Sequence, residues 1–303
     1  MFVMKPTTRR PTQSLWSLLL LPLALIAAAC GDGQTARGPS AGGQAVVAEG
    51  ADMDKPHPIV SETALDNAIN GMLYMSLLAA SWEDGRLRYL TADEHPMALA
   101  RSYEFFGPDS ASLRYRLRSD VRWSDGRPVT AHDAAWTLET QGREEVASPR
   151  QDYNREIRAI EVEDDSTLVI HFTRRYAEML FHTAGSVAPK HVYENSDLSQ
   201  LRSHPALTNP VGQLVTNGPF RLAAWTRGQQ VVLERNPDFT PQPRLDRIVF
   251  RIIPEEATRM IELQTGRVDM AGVPFHYIPE IRAAGNLRIE TQRGRSYEYI
   301  AYN

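Results

Sequence analysis

Three kinds of side chain in this sequence could do chemistry: a single cysteine, eight histidines and a run of carboxylates. Cys30 has no second thiol, so it can form no internal disulfide and share no thiolate metal site. The histidines are His57, His95, His132, His171, His182, His191, His204 and His276, and no two stand at i,i+4. A zinc helix of the H-E-x-x-H type needs that spacing to bring both imidazoles to one face. His182 and His191 lie nine apart and could meet only through the fold. His132 falls in the first turn of an expected helix and reads as solvent-exposed. Glu161, Glu163, Asp164 and Asp165 crowd an expected hairpin turn, where solvated charge is the ordinary explanation. Neither a G-x-S-x-G elbow nor a G-x-x-x-x-G-K-[ST] phosphate loop is present. Nucleophile, base and orienting group cannot be read together anywhere. The sequence therefore predicts no catalytic residue, no metal and no cofactor, and it argues against a secreted hydrolase.

The residues before Cys30 say what that thiol is for. Lys5, Arg9 and Arg10 form a basic start, and Leu15 to Ala29 is an apolar run broken only by Ser17 and Pro22. Such a run is short for a bilayer span, which needs about 20 residues. It has the length and flanks of a signal peptide over residues 1–29. Ala27, Ala28 and Ala29 then lead into Cys30, an arrangement that resembles a lipobox, with Ala27 where leucine is usual. The resemblance implies a lipidated Cys30 and an exported protein held on the periplasmic side of the envelope by its lipid. Asp32 resembles a signal for retention in the inner membrane. Residues 30–50, rich in Gly and Ala, predict a flexible tether. The whole chain carries a formal charge of -4. A mildly acidic body offers no attraction to phosphate backbones, so nucleic acid is excluded as a partner.

Elements of both kinds follow. Leu113 to Leu117 alternates apolar and basic residues as a half-buried strand does. Ser124, Asp125 and Gly126 mark a turn, and Thr130 with Asp133 predicts a capped helix start running on through Trp136 and Leu138. Ile157 to Val162 and Leu168 to Phe172 predict one hairpin, and Phe220 to Trp225 with Val231 to Glu234 another. Arg247 to Ile253 reads as a buried strand, Pro254 as the first turn of a helix ending at Gly266, and Val268 to Ala271 as the next strand. Strand, helix, strand implies parallel pairing, hence an α/β or mixed α+β body.

Leu113 to Glu139 (LRYRLRSDVRWSDGRPVTAHDAAWTLE) resembles the signature of the family 5 extracellular solute-binding proteins. Three more blocks support the likeness: Thr216 to Phe220 with Leu233 to Pro237, Leu263 to Met270, and Tyr299 to Asn303. Read from the residues themselves, these motifs are structural. Asp125-Gly126 is a turn, Thr130 and Asp133 are caps, Trp123 is core, and Asn217-Gly218-Pro219 is a bend.

The resemblance implies a type II periplasmic-binding-protein fold with two lobes, the second large lobe missing from this chain. It implies lobe I starting over 51–75, an inserted smaller domain over 76–185, lobe I continuing over 186–295, and the missing lobe beginning at 296–303. It places ligand contacts at Met270, Ala271, Gly272, Val273, Tyr299 and Asn303. The implied partners are a small solute, foremost a peptide, the permease subunits of an ABC importer, and the lipid bilayer through Cys30. The alternatives are a secreted lipid-anchored hydrolase, for which no catalytic constellation is legible, and a non-functional fragment of such a binding protein.

Overall fold

The computed structural model describes residues 2–4, 42–83 and 85–291, the first of these as backbone only. Cys30, Tyr299, Asn303 and most of the expected signal peptide and tether lie outside the described residues. The tether reading overreaches at its end, because β2 (Gln44–Glu49) is an inner strand of the main sheet. Its Ala45-Val46-Val47-Ala48 core is small and apolar, and Val47 and Ala48 are buried, as suits a strand covered on both faces.

The main sheet is built around that strand. β11 (Arg247–Ile252) and β12 (Met270–Gly272) pair with β2 from opposite sides, both parallel, and α6 (Glu256–Thr265) makes the crossover between them. Gly266 ends α6 with φ 73° and donates its N–H to the Leu263 carbonyl at 3.1 Å, the left-handed cap that glycine allows. Pro254 sits one residue before the N-cap Glu255, not inside the first turn as expected. β9 (Phe220–Thr226) and β10 (Gln230–Arg235) form the predicted hairpin on one flank, antiparallel to β11. On the other flank α7 (Ile278–Ala284) precedes β13 (Arg288–Glu290). β1 (Phe2–Met4) lies antiparallel between β12 and β13, within the stretch read as signal peptide.

A second, all-antiparallel sheet is inserted in the chain. Its order is β5 (Ala100–Phe106), β6 (Ser112–Leu117), β8 (Thr167–Phe172), β7 (Ile157–Asp164). A separate hairpin, β3 (Ala79–Glu83) and β4 (Arg86–Leu90), precedes it. Between β6 and β7 runs α2 (Ala131–Gly142), which packs on β7 and β8. The Asp133 carboxylate accepts the Thr130 backbone N–H at 2.9 Å, the predicted cap. It does more than cap. Asp133 is buried and also accepts the Trp123 indole N–H at 3.3 Å and the Lys190 N–H at 3.0 Å, tying three segments together.

Two connections join the inserted sheet to the main one. Outgoing and returning chain run side by side: the Leu77 N–H meets the Gly185 carbonyl at 3.1 Å, and the Val187 N–H meets the Met75 carbonyl at 3.1 Å. The bend at Asn217-Gly218 then locks the end of α1 (Ala64–Leu73) onto the start of β9. Asn217 Oδ1 accepts the Met75 N–H at 2.8 Å, and a Cβ on Gly218 would lie 2.4 Å from the Met72 carbonyl oxygen. Only glycine fits that approach. One hydrophobic cluster runs through this junction, from Leu222 and Leu233 through Leu73, Met75 and Leu77 to Leu113 and Leu168. Among the described residues, no helix is long and apolar enough to cross a membrane.

Candidate functional site

A cavity of about 430 Å3 opens where the inserted part meets the main sheet. The β3–β4 hairpin forms one side through Trp82, Leu87 and Tyr89, and α2 the floor through Ala134, Leu138 and Gln141. The opposite wall is Arg150, Tyr153 and α3 (Met179–Thr183), carrying Phe181 and His182. The joining strands Ser76 to Leu78 and Gly185 to Val187 close the back.

Two large aromatic rings are spread at this site, with Trp82 44% and Phe181 37% exposed. Leaving flat apolar area in water costs roughly 25 cal/mol per Å2, so their exposure marks a contact surface. Tyr153 stacks on His182, with centroids 4.6 Å apart and planes 8° from parallel. His182 Nδ1 is held in turn by the Tyr176 hydroxyl at 2.9 Å, which fixes the ring plane. Arg150 is the cation of this wall. Its guanidinium makes one hydrogen bond among the described residues, a long one of 3.4 Å to the Asn67 amide oxygen. Burial pulls its pKa below the ordinary arginine value. Aspartate and glutamate are absent from the lining.

A second cavity, of about 560 Å3, lies between Trp123, Arg118, Asn217 and Asp238. Here the charges already answer one another. Arg118 holds Asp120 through two hydrogen bonds and depresses its carboxyl to about 2, and Arg221 bonds Asp238 at 2.5 Å. A solute entering it would have to displace existing pairs, whereas the first cavity offers an unmatched charge and open rings.

The residues expected at the site fall elsewhere or outside. Met270 and Gly272 are half-buried on β12, Ala271 and Val273 are packed in the core, and neither cavity reaches them. His182 and His191 do not meet: the first lines the cavity, and the second bonds Asp125 Oδ2 at 2.8 Å. Among the described residues, no three His, Cys, Asp or Glu side chains gather as metal ligands. Trp82, Arg150, Tyr153 and Phe181 were not singled out from the sequence. Of these, only the Ser148-Pro149-Arg150 break after α2 gives a local hint, a turn that projects a long cation.

The described residues thus form an α/β body with an antiparallel sheet inserted in it, and a cavity of rings and one cation at their junction. Residues 78–303 match the bacterial extracellular solute-binding proteins, family 5 (Middle), and the chain belongs to that family. It is 24% identical over 311 residues to the oligopeptide-binding protein AppA of Bacillus subtilis, covering 97% of this chain and 54% of that protein. The solved structure of that AppA with a nonapeptide superposes with a TM-score of 0.70 at 20% identity, over 80% of this chain and 46% of the other. The periplasmic EDTA-binding protein EppA superposes with a TM-score of 0.69 at 22% identity, over 82% and 47%. The chain thus spans about half the length of the relatives it matches. A putative ABC transporter peptide-binding protein of Brucella ovis is 24% identical over 223 residues, covering 73% of this chain and 40% of that protein.

Proposed function

We propose that this chain is the solute-capturing half of an exported, lipid-anchored receptor that delivers peptides or related small solutes to the permease of an ABC importer. The observation that carries this reading is the junction cavity, where exposed Trp82 on one side stands across from exposed Phe181 and the unmatched Arg150 on the other. Membership of a solute-binding family supports it. The wall facing this cavity belongs to a second lobe, and ligand preference for the closed state drives closure. Met270 to Val273, with Tyr299 and Asn303, form a second contact segment in the same proposal. The anchor is Cys30, and capture takes place on the periplasmic side of the membrane.

Uptake of a labelled panel of di- to nonapeptides by cells lacking the gene tests this. Loss of uptake of at least one member, restored by the wild-type gene, is the expected result. Cys30→Ser is expected to abolish acyl labelling and release the protein from the membrane fraction. Unchanged uptake across the panel contradicts the transport role; acyl labelling that persists in the serine variant contradicts the anchor.

A further inference from the structure

We infer that the junction cavity is an anion-selecting subsite, in which Arg150 receives a solute carboxylate and the neighbouring rings take the apolar group beside it. The inference rests on the solute-capture reading above and goes further by naming the chemistry of the group that enters.

The argument starts from charge. Arg150 is a half-buried guanidinium with five N–H donors, of which the described residues engage one, weakly, at 3.4 Å. Removing an ion from water is costly unless a counter-charge compensates, so buried charges are normally paired. Three other arginines at least partly withdrawn from water or held by a carboxylate show what pairing looks like in this molecule. Arg114 meets Glu104 and Glu163, each at 2.8 Å; Arg174 meets Glu156 at 3.0 Å; Arg251 meets Glu262 at 2.5 Å. No described carboxylate lies within 4.0 Å of Arg150, and none lines the cavity. The nearest acid in sequence, Asp152, is turned to Arg155 at 2.8 Å.

Backbone geometry also makes room for this group. A Cβ on Gly185 would lie 3.1 Å from Arg150 Nη1, so a bare backbone at that point leaves the guanidinium its place against the joining strand. The surroundings define the rest of the solute. Tyr153 on His182 gives a flat, oriented face, and Phe181 lies 5.4 Å from Tyr153, centroid to centroid. Trp82 offers a second exposed ring across the opening. A planar carboxylate matches the guanidinium fork with two parallel hydrogen bonds, and an adjoining aromatic or branched side chain matches the rings. Among the described residues, an ammonium group finds a like charge here and no acid.

Two probes that differ by one charge test this: N-acetyl-L-tryptophan and N-acetyl-L-tryptophanamide, titrated separately against the folded protein with binding read by NMR. The carboxylate form is expected to bind at least tenfold more tightly, a preference that shrinks as salt is raised. Acetyl phosphate serves as a third arm, separating a planar carboxylate from any small oxyanion. Arg150→Gln is expected to erase the preference, and Arg150→Lys to keep part of it, since the charge remains and the fork is lost. Gly185→Ala, which pushes on the guanidinium from the strand, is expected to weaken the preference and serves if the glutamine variant does not fold.

Equal affinity for the two tryptophan probes, binding of neither, or a preference unchanged in Arg150→Gln overturns the proposal. So does acetyl phosphate binding as tightly as the tryptophan carboxylate, because the rings would then contribute nothing. The uptake assay separates the two readings. Uptake that depends on the gene, with no anion preference at the cavity, removes the subsite and leaves the receptor standing.

Discussion

At the scale of single residues, the strongest electrostatic demand is made by His57, not by any group at the cavity. His57 is fully buried with its ring edge on Tyr193, centroids 4.7 Å apart. Its Nδ1 accepts the Ile59 N–H at 3.3 Å, while Nε2 and the nearby hydroxyls of Tyr74 and Tyr193 have no hydrogen-bond partner among the described residues. Burial first, then the charge of His204, pulls its pKa from the ordinary 6.5 to about 3. The folded state thus holds His57 neutral where the unfolded chain would protonate it. Its contribution to stability is complete above pH 6.5 and is lost as pH falls toward 3, at up to about 1.4 kcal/mol per pH unit. Urea denaturation of wild type and His57→Phe at pH 7, 5.5 and 4 reads this difference. The wild-type curve is expected to fall more steeply by that amount per unit; parallel curves would show that His57 does not titrate between the two states. None of this was legible beforehand. A histidine followed by Pro58 in a polar stretch gives no sign that distant Tyr74 and Tyr193 will enclose it.

Among the elements, α2 was the most legible and the most instructive. Thr130 and Asp133 announce its start through spacing alone, because a capping box is local chemistry. The structure adds the non-local part: the Asp133 carboxylate also holds Trp123 and Lys190. The two cap residues should therefore differ in weight. Thr130→Ala is expected to cost about 0.5–2 kcal/mol, the ordinary loss of a cap. Asp133→Ala leaves several buried donors without an acceptor, and about 3 kcal/mol or more is expected. Thermal melts of both variants decide the matter, and equal losses would reduce Asp133 to a cap. The hairpins β7–β8 and β9–β10 were readable for the same local reason, an alternating pattern on both sides of a turn. β2 was missed because Gln44–Glu49 follows a Gly-rich stretch and owes its strand state to partners some 200 residues later. The pairing of Leu77 with Gly185, which shapes the back of the cavity, has no local signature either.

Taken whole, the main and inserted sheets share one core. The hydrophobic cluster is continuous from the main sheet to the inserted one, so the inserted part has no core of its own to move with. The sequence blocks that resemble family 5 identified the fold; where the structure describes them they give turns, caps and core such as Trp123 and Asn217, and through Ala134 and Leu138 the floor of the junction cavity. The rings and the cation of the proposed cavity, Trp82, Phe181 and Arg150, come together only through long-range packing that carries no local signature. The most direct test follows the indole N–H signals in a 15N spectrum while small peptides ending in an aromatic residue and a free carboxylate are added. Trp82 stands at the proposed cavity, Trp123 lines the other, and Trp225 is held by Asp52 at 3.0 Å away from both. The Trp82 signal is expected to move in a saturable way while those of Trp123 and Trp225 stay fixed. A shift led by Trp123, or no shift at Trp82 with any peptide, would contradict the assignment of this cavity as the place where the solute is held.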